Sequence, residues 1–206
     1  MDEHAITSAE ELTEIYGRPQ ERTLRKELQR LDEHCRELIG LSPFVLLATS
    51  SADGRCDVAP RGGPRGFCRV LDDGRLAIPD VKGNRRLDSM RNIVQNPHAG
   101  LLFMVPGLRE TLRVNGAAEL TTRPDVVEVV SDPGKPAILA VVVRPDEVFL
   151  HCPKALIRSS LWETETWPPA GELPSAAQIL RDHVGDEATV AEVQAMLDES
   201  VATRLY

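Results

Sequence analysis

Short β-rich runs separated by tight turn signals fill residues 43–152, and this spacing constrains the fold more than any other feature of the 206-residue sequence. Phe44–Ser50 is an apolar run of strand-forming residues, and the turn signal Ser51-Ala52-Asp53-Gly54 leads into a returning run over 55–61. Two runs that flank Asp72-Asp73-Gly74 repeat the arrangement. The pattern therefore predicts consecutive antiparallel hairpins.

Further strands are predicted along the chain, at Gly100–Val105, Glu110–Leu120, Ala137–Val143 and Glu147–Cys152. In the second of these, apolar side chains occupy alternate positions, which is typical of an antiparallel strand with one face in the core. About seven strands, joined mostly by tight turns and with one short helix among them, favour a closed antiparallel barrel over a parallel sheet. The predicted fold class is α+β, mainly β.

The barrel pattern divides the chain into three regions. Residues 1–42 are predicted to form helices that pack on the barrel, residues 43–167 the barrel itself, and residues 168–206 a C-terminal helical extension. In the first region a capping box at Ser8–Glu11 precedes one helix, and the apolar residues of Leu24–Leu38 predict a second, longer helix. The extension is predicted to contain two short helices, over 179–184 and 190–201.

Composition excludes several classes of function. The net charge of −8 argues against nucleic acid as the main partner, because phosphate-backbone binding needs a broad cationic face. No apolar run approaches the ~20 residues that span a bilayer, and the acidic N-terminus lacks a signal-peptide core, so we expect no membrane partner and a cytoplasmic location. Neither cysteines at metal-ligand spacing nor a hydrolase motif occurs, so we expect no metal and no catalytic side chain. An enzyme of this kind takes its reactive group from a cofactor.

Four cations and one carboxylate crowd the ten residues of Lys82–Arg91. Asn84 is a good N-cap and apolar residues follow at helical spacing, so a helix is predicted to begin near Arg85. A helix N-terminus carries partial positive charge and normally prefers acidic residues, so Arg85 and Arg86 in its first turn indicate a bound anion such as phosphate. A solvated basic helix start is the alternative.

Three further stretches carry residues that could contact a flat, phosphorylated ligand. Arg61-Gly62-Gly63-Pro64 ends the second predicted strand, and a ring can approach glycine backbone closely because no Cβ intervenes; a plain loop is the alternative. Thr111 and Arg113 lie on the strand face opposite the core, which is more commonly a solvent face. Arg158 and Trp162 would share a helix face, either as ligand contacts or as a cation–π surface pair.

Several loose motifs occur in order over about 40–167: Phe44–Ser50, Asp57–Gly63, Leu76–Asp80, Gly83–Ser89, Asn96-Pro97, Gly100–Phe103, Glu110–Gly116 and Cys152–Ser159. As an ordered set they resemble the pyridoxamine 5′-phosphate oxidase-like flavoproteins, and within these the bacterial FMN-binding branch of unassigned substrate. The resemblance implies an FMN-binding split β-barrel with N- and C-terminal helices. It also implies a homodimer with two FMN sites at the subunit interface and an FMN-dependent oxidoreductase acting on a small-molecule substrate.

By the same resemblance, the strand over 57–62 would run beside the flavin ring, and Asn84–Arg86 would contact the phosphate. The resemblance also implies that FMN is approached from the other subunit by Lys154, Arg158 and Ser159. The residues assigned to the cofactor by the resemblance and the basic cluster together are Val58, Ala59, Pro60, Arg61, Gly62, Ile78, Pro79, Lys82, Asn84, Arg85, Arg86, Thr111, Arg113, Lys154, Arg158 and Ser159.

The chain departs from the family pattern in two places. The vitamin B6 enzyme has a lysine where this chain has Gly62, and its C-terminal arginine segment, which binds the substrate, has no counterpart here. Pyridoxamine phosphate oxidation itself is therefore not expected, whereas FMN binding is. Two alternatives stay open: a non-enzymatic protein that stores or senses flavin or haem, and a deazaflavin-dependent reductase.

Overall fold

The computed structural model describes residues 4–185 and 187–204, and one seven-stranded antiparallel sheet forms its centre. The strands are β1 (Phe44–Ser50), β2 (Cys56–Gly62), β3 (Arg69–Val70), β4 (Leu76–Asp80), β5 (His98–Met104), β6 (Thr111–Thr121) and β7 (Leu139–His151). They lie side by side in the order β2-β1-β5-β6-β7-β4-β3. Both predicted hairpins are present, and the mainly β, α+β fold class is confirmed.

The sheet curls without closing. β7 pairs with β6 along most of its length and with β4 through residues 139–143. Within the described residues no ladder joins the edge strands β2 and β3, so the predicted closed barrel is wrong on this point and the barrel is split. The physical reason is that β3 has only 2 residues, which is too short an edge to continue the hydrogen-bond ladder.

The strands predicted over 137–143 and 147–152 are one continuous strand, β7, and this corrects the sequence interpretation. A register shift between Asn115 and Gly116 lets β6 follow the bend of β7, so Pro145 is accommodated opposite Gly116 without a break. A Cβ on Gly116 would lie 2.0 Å from the carbonyl oxygen of Arg144. Only glycine fits at this bend.

Eight α-helices surround or extend the sheet in the described residues: α1 (Ala9–Tyr16), α2 (Glu21–Arg25), α3 (Glu33–Leu41), α4 (Asp88–Gln95), α5 (Pro124–Val130), α6 (Lys154–Ser159), α7 (Ala176–Val184) and α8 (Val190–Arg204). The capping box is confirmed, because Ser8 accepts a hydrogen bond from the Glu11 N–H at the start of α1. Both predicted C-terminal helices are present as α7 and α8. The sequence analysis missed α5, which begins at Pro124.

The long helix predicted over Leu24–Leu38 is divided into α2 and α3, a second correction. Between them Leu28 pairs with Val148 across the part of β7 that β4 leaves uncovered. The Asp32 carboxylate then accepts a hydrogen bond from the Cys35 N–H at 2.9 Å and caps α3. The pairing of Leu28 gives hydrogen-bond partners to the backbone groups of Val148 on the open edge of β7. A continuous helix from Leu24 to Leu38 would leave those groups without a backbone partner.

Two apolar clusters position the helices on opposite sides of β4. The main core holds inward side chains of the sheet together with Cys35 and Ile39 of α3 and Met90 and Ile93 of α4. A smaller cluster packs Val126 and Val130 of α5 against residues of β4 and β7 on the other face. The connections before α4 and after α5 therefore meet beyond the end of β4.

The helices at the two ends of the chain contribute less to the core. None of the residues in α1 and α2 is buried. In the C-terminal pair, Ala177 of α7 and Val193 of α8 are buried. Within the described residues, no helix combines the length and the apolar character needed to cross a bilayer.

Candidate cofactor-binding cleft

A cleft of about 460 Å³ lies beyond the C-terminal end of β4, where three connections meet. This volume falls within the range of small-molecule sites, which is roughly 300–1,000 Å³. One wall is the end of β2, a second is the loop over 81–87, and the third is the connection from α5 to β7. The lining residues already predicted for the cofactor are Arg61, Gly62, Pro79, Lys82, Asn84, Arg85 and Arg86.

The basic residues occupy a loop and not the first turn of a helix, which corrects the sequence interpretation. α4 begins at Asp88, after Leu87 as N-cap, and Asn84 instead accepts a hydrogen bond from the Arg86 N–H at 3.0 Å. The physical reason is the ordinary preference for an acidic first turn, which Asp88 supplies. The predicted crowding of arginines on the helix tip is therefore absent, whereas the cationic loop (Lys82–Arg86) remains beside the cleft.

Within this cationic loop, Arg85 has the conformation least expected of its residue type. Its φ is +62°, in the left-handed region that residues other than glycine and asparagine rarely adopt. Its side chain, like that of Lys82, forms no hydrogen bond or ion pair with a described residue. Arg86, in contrast, has a partner within the chain, since its Nε lies 2.5 Å from Oδ2 of Asp88. This hydrogen bond raises the pKa of the Arg86 guanidinium.

The open edge of β2 forms the first of the three walls. Hydrogen bonds from Ser51 N–H to the Arg55 carbonyl and from Gly63 N–H to the Pro43 carbonyl fix which residues bond to β1. Because bonded and non-bonded pairs alternate in an antiparallel ladder, the backbone groups of Val58, Pro60 and Gly62 point away from β1. Among these three residues the donors are the N–H groups of Val58 and Gly62, since proline has none.

Gly63 has a packing reason that the sequence did not reveal. A Cβ at this position would lie 2.7 Å from the Cβ of Phe67, so glycine lets Phe67 fold under the end of β2. Gly62 has no such restriction, because its nearest neighbour would be the Pro43 carbonyl oxygen at 3.5 Å. Phe67 is buried and also lines the cleft. Glycine is therefore required at position 63 by the packing of Phe67. At position 62 no such packing requirement exists.

A short polar chain joins β2 to α4 beneath the cleft. The hydroxyl of Ser89 donates to Oδ2 of Asp57 at 2.5 Å, and Nη2 of Arg61 lies 3.5 Å from the same hydroxyl. Ser89 is buried, so its two partners hold the edge strand against the helix. Arg61 is thereby oriented along the wall of the cleft.

Sequence reasoning missed Asp80 and the third wall of the cleft. Asp80 is half-buried; burial raises the pKa of its carboxyl, and the positive charge of Arg61 partly opposes that rise. The third wall contributes Val130, Asp132, Lys135 and Ile138. Asp132 and Lys135 face each other across a turn whose central residues, Pro133-Gly134, are a recognisable turn signal. That signal could have located the turn, but not its position beside β4.

The remaining predicted residues do not line this cleft. Ile78 is fully buried and its side chain belongs to the core, and Ala59 faces the same side of the sheet as the buried Leu47. Pro60 begins a cross-strand row on the outer face of the sheet, and Val58 lies beside it on that face. The row, read across the ladders, is Pro60, Leu46, Leu102, Arg113 and Phe149.

On that outer face the predicted polar residues already have partners in the chain. Nε of Arg113 donates to Oε1 of Glu147 at 3.0 Å, and its guanidinium lies 4.6 Å from the centre of the Phe149 ring. Thr111 pairs with His151 at the end of the same two strands. The exposed residues Lys154, Arg158 and Ser159 follow on α6. The structure thus separates the predicted residues into a cleft set and a second set away from the cleft, on the outer face and on the helix α6 that follows it, which we call the outer-face set.

The fold and the cleft define a class, a split antiparallel barrel with a cationic cleft beside an open strand edge. A family model for pyridoxamine 5′-phosphate oxidase matches residues 31–152, which is more than half of the chain. The chain belongs to this family. No curated protein sequence matches the chain.

Solved structures with a similar fold are distant in sequence. HupZ of Group A Streptococcus is 19% identical, with 58% of this chain and 93% of that chain covered and a TM-score of 0.47. A pyridoxamine 5′-phosphate oxidase-related, FMN binding protein of Nostoc punctiforme is 18% identical, with coverage of 54% and 75% and a TM-score of 0.38. HutZ, the haem storage protein of Vibrio cholerae, is 16% identical, with coverage of 59% and 94% and a TM-score of 0.39.

Proposed function

We propose that this protein binds FMN and acts as an FMN-dependent oxidoreductase on a small-molecule substrate. The observation that carries the proposal is the convergence on one cleft of predicted cofactor residues from two segments that are distant in sequence. One segment is the end of β2, and the other runs from the end of β4 through the cationic loop. A single cleft of suitable volume with cations at one side and a free strand edge at the other suits a flat ring that carries a phosphate.

The chain's own groups divide the work of binding. The side chains of Lys82 and Arg85 have no partner in the described residues and would neutralise a phosphate dianion, with Arg86 shared between the phosphate and Asp88. The outward N–H group of Gly62, which lines the cleft, would donate to the polar edge of the ring. Bound flavin supplies hydride transfer, and we assign no side chain as acid or base.

The outer-face set supports a homodimer in which each subunit completes its partner's site. Thr111, Lys154 and Arg158 lie away from the cleft of their own chain, and a second chain across the outer face would present them to the flavin. The apolar members of that row, Pro60, Leu46, Leu102 and Phe149, would supply apolar surface for such an interface, with Arg113 as its charged member.

Subunit complementation tests this arrangement. Arg85→Ala removes a cleft residue and Arg158→Ala an outer-face residue, so each homodimer is expected to lose both sites. A mixed dimer of the two variants is expected to regain one intact site, which FMN titration of differently tagged, co-purified subunits would show. A mixed dimer as defective as both parents would contradict the shared site.

Phosphate recognition is tested with a matched pair of arginines. Arg86 and Arg123 have the same local geometry, because each bonds the carboxylate two residues later and each donates its backbone N–H two residues back. Only Arg86 lines the cleft. We expect Arg86→Ala to weaken FMN binding about tenfold and Arg123→Ala to leave it unchanged in fluorescence titrations. Equal effects of the two variants would contradict the assignment.

Turnover distinguishes an oxidoreductase from a protein that only stores flavin. We expect the FMN-loaded protein to oxidise NADH or NADPH in the presence of an artificial electron acceptor, measured as steady loss of absorbance at the nicotinamide band. Stoichiometric flavin binding without turnover would favour storage. A deazaflavin in place of FMN would appear in the mass of the ligand released from purified protein.

A further inference from the structure

The carboxylate of Asp80 stands inside the cationic cleft without a hydrogen-bond donor. Asp80 ends β4 and lines the cleft together with Arg61 and Lys82. No described residue donates a hydrogen bond to its carboxylate, which is affected only by its burial and by the charge of Arg61. Half-buried charged groups are normally hydrogen-bonded, because desolvation without a donor is costly. The carboxylate therefore has acceptor capacity left for a hydroxyl or N–H group of a ligand that enters the cleft.

The charge of Asp80 also restricts what that ligand can be. The other charged side chains that line the cleft are mostly cationic, so several anionic groups would be attracted to it. The charged groups are Arg61 on β2, Lys82, Arg85 and Arg86 on the cationic loop, and Asp132 and Lys135 on the third wall. A carboxylate among them accepts hydrogen bonds from neutral hydroxyl or N–H groups and repels a second anion.

We propose that Asp80 is a specificity-determining residue, whose carboxylate accepts a hydrogen bond from a neutral donor of the bound flavin and limits the negative charge that the cleft admits. This inference rests on the proposed flavin site. A flavin offers two sources of such a donor, the hydroxyl groups of its polyol chain and the N–H of its ring. Both present the same chemistry to the carboxylate.

Three flavins separate the two sources and the effect of charge. Lumiflavin has the ring N–H but no polyol, riboflavin adds the polyol, and FMN adds the phosphate. Their dissociation constants would be measured by fluorescence titration for the wild-type protein, Asp80→Leu and Asp80→Asn. Asp72→Asn is the matched control, since Asp72 is an exposed acid in the turn before β4.

We expect Asp80→Leu to weaken riboflavin binding at least about tenfold, the low end for a hydrogen bond to a charged group. An unchanged affinity for lumiflavin would identify the polyol as the donor, and an equal loss would identify the ring N–H; both results support the acceptor role. Asp80→Asn keeps the shape of the side chain and removes its charge. It is expected to improve the preference for FMN over riboflavin about threefold or more.

The failures of this inference and of the flavin site are distinguishable. Wild-type protein that binds none of the three flavins overturns both. Wild-type binding combined with Asp80 variants that behave like Asp72→Asn overturns the role of Asp80 alone. If Asp80→Leu does not fold, the isosteric Asp80→Asn decides, because an unchanged ratio of the FMN and riboflavin dissociation constants contradicts the proposal.

Discussion

Replacing Arg85 with glycine is expected to stabilise the protein and weaken its affinity for FMN at the same time. The left-handed conformation of Arg85, with φ at +62°, costs an L-residue about 1–2 kcal/mol and costs glycine almost nothing. Glycine is also more flexible in the unfolded chain, which returns about 0.4–1 kcal/mol. The midpoints of these ranges leave a net gain of about 0.8 kcal/mol, or a rise of about 2–3 °C in Tm for a chain of this size.

The same substitution removes a guanidinium that has no partner in the described residues and faces the cleft. Loss of a charge-assisted contact to phosphate is expected to weaken FMN binding at least about tenfold. Thermal unfolding without ligand and fluorescence titration with FMN measure the two effects separately. Because riboflavin has no phosphate, its affinity is expected to change little.

A control exists for the conformational half of this prediction. Ser160 also has a positive φ, of +49°, and its side chain forms no hydrogen bond with a residue that the structure describes. Ser160→Gly is therefore expected to raise Tm without changing FMN affinity. The reasoning would be refuted if Arg85→Gly lowered Tm or bound FMN as tightly as the wild type. If Arg85→Gly raised Tm without weakening FMN binding, the left-handed conformation of Arg85 would not contribute to ligand binding.

Three further predictions concern the scaffold. Gly116→Ala is expected to be among the most destabilising single substitutions, visible as a large loss of Tm or of soluble protein, because its Cβ would overlap the Arg144 carbonyl. Cys56 and Cys152 are exposed and are expected to react with a thiol reagent in the native protein. Burial raises the pKa of the Cys68 thiol and raises that of the Cys35 thiol to about 11. Cys35 and Cys68 are therefore expected to react only after unfolding. Asp32→Ala is expected to cost about 1 kcal/mol of unfolding free energy at pH 7. The hydrogen bond from the Cys35 N–H lowers the pKa of Asp32 in the folded protein. The stabilisation by Asp32 is therefore fully present above the pKa of the unfolded state and is lost as the pH falls through the lower pKa of the folded state. Urea titrations at several pH values would detect this loss.

Local periodicity was sufficient to predict the strands and the hairpins. Phe44–Ser50 is a strand with the predicted bounds, because its run of β-formers ends at a strong turn signal. The division of the predicted long helix was not predictable, since it depends on Leu28 pairing with a strand that lies far away in sequence. The same holds for the continuity of β7, which depends on a bend accommodated by Gly116 on the neighbouring strand.

The candidate site was predictable in part for a related reason. The cationic loop and the end of β2 were identified from composition and glycine spacing, and the fold brings them together. Asp80 and the third wall were missed because their importance comes from tertiary position: a lone aspartate at a strand end and a Pro-Gly turn carry no functional signal by themselves. Arg85 was assigned to a helix because Asn84 resembles an N-cap, whereas Asp88 supplies the acidic first turn three residues later.

Identification of the ligand carried by the purified protein tests the central claim most directly. The cleft beyond β4 is predicted to hold one FMN per chain, so the protein should be yellow and should release a compound with the mass of FMN on denaturation. Protein that is colourless as purified and leaves the fluorescence of added FMN unchanged throughout a titration would contradict the account.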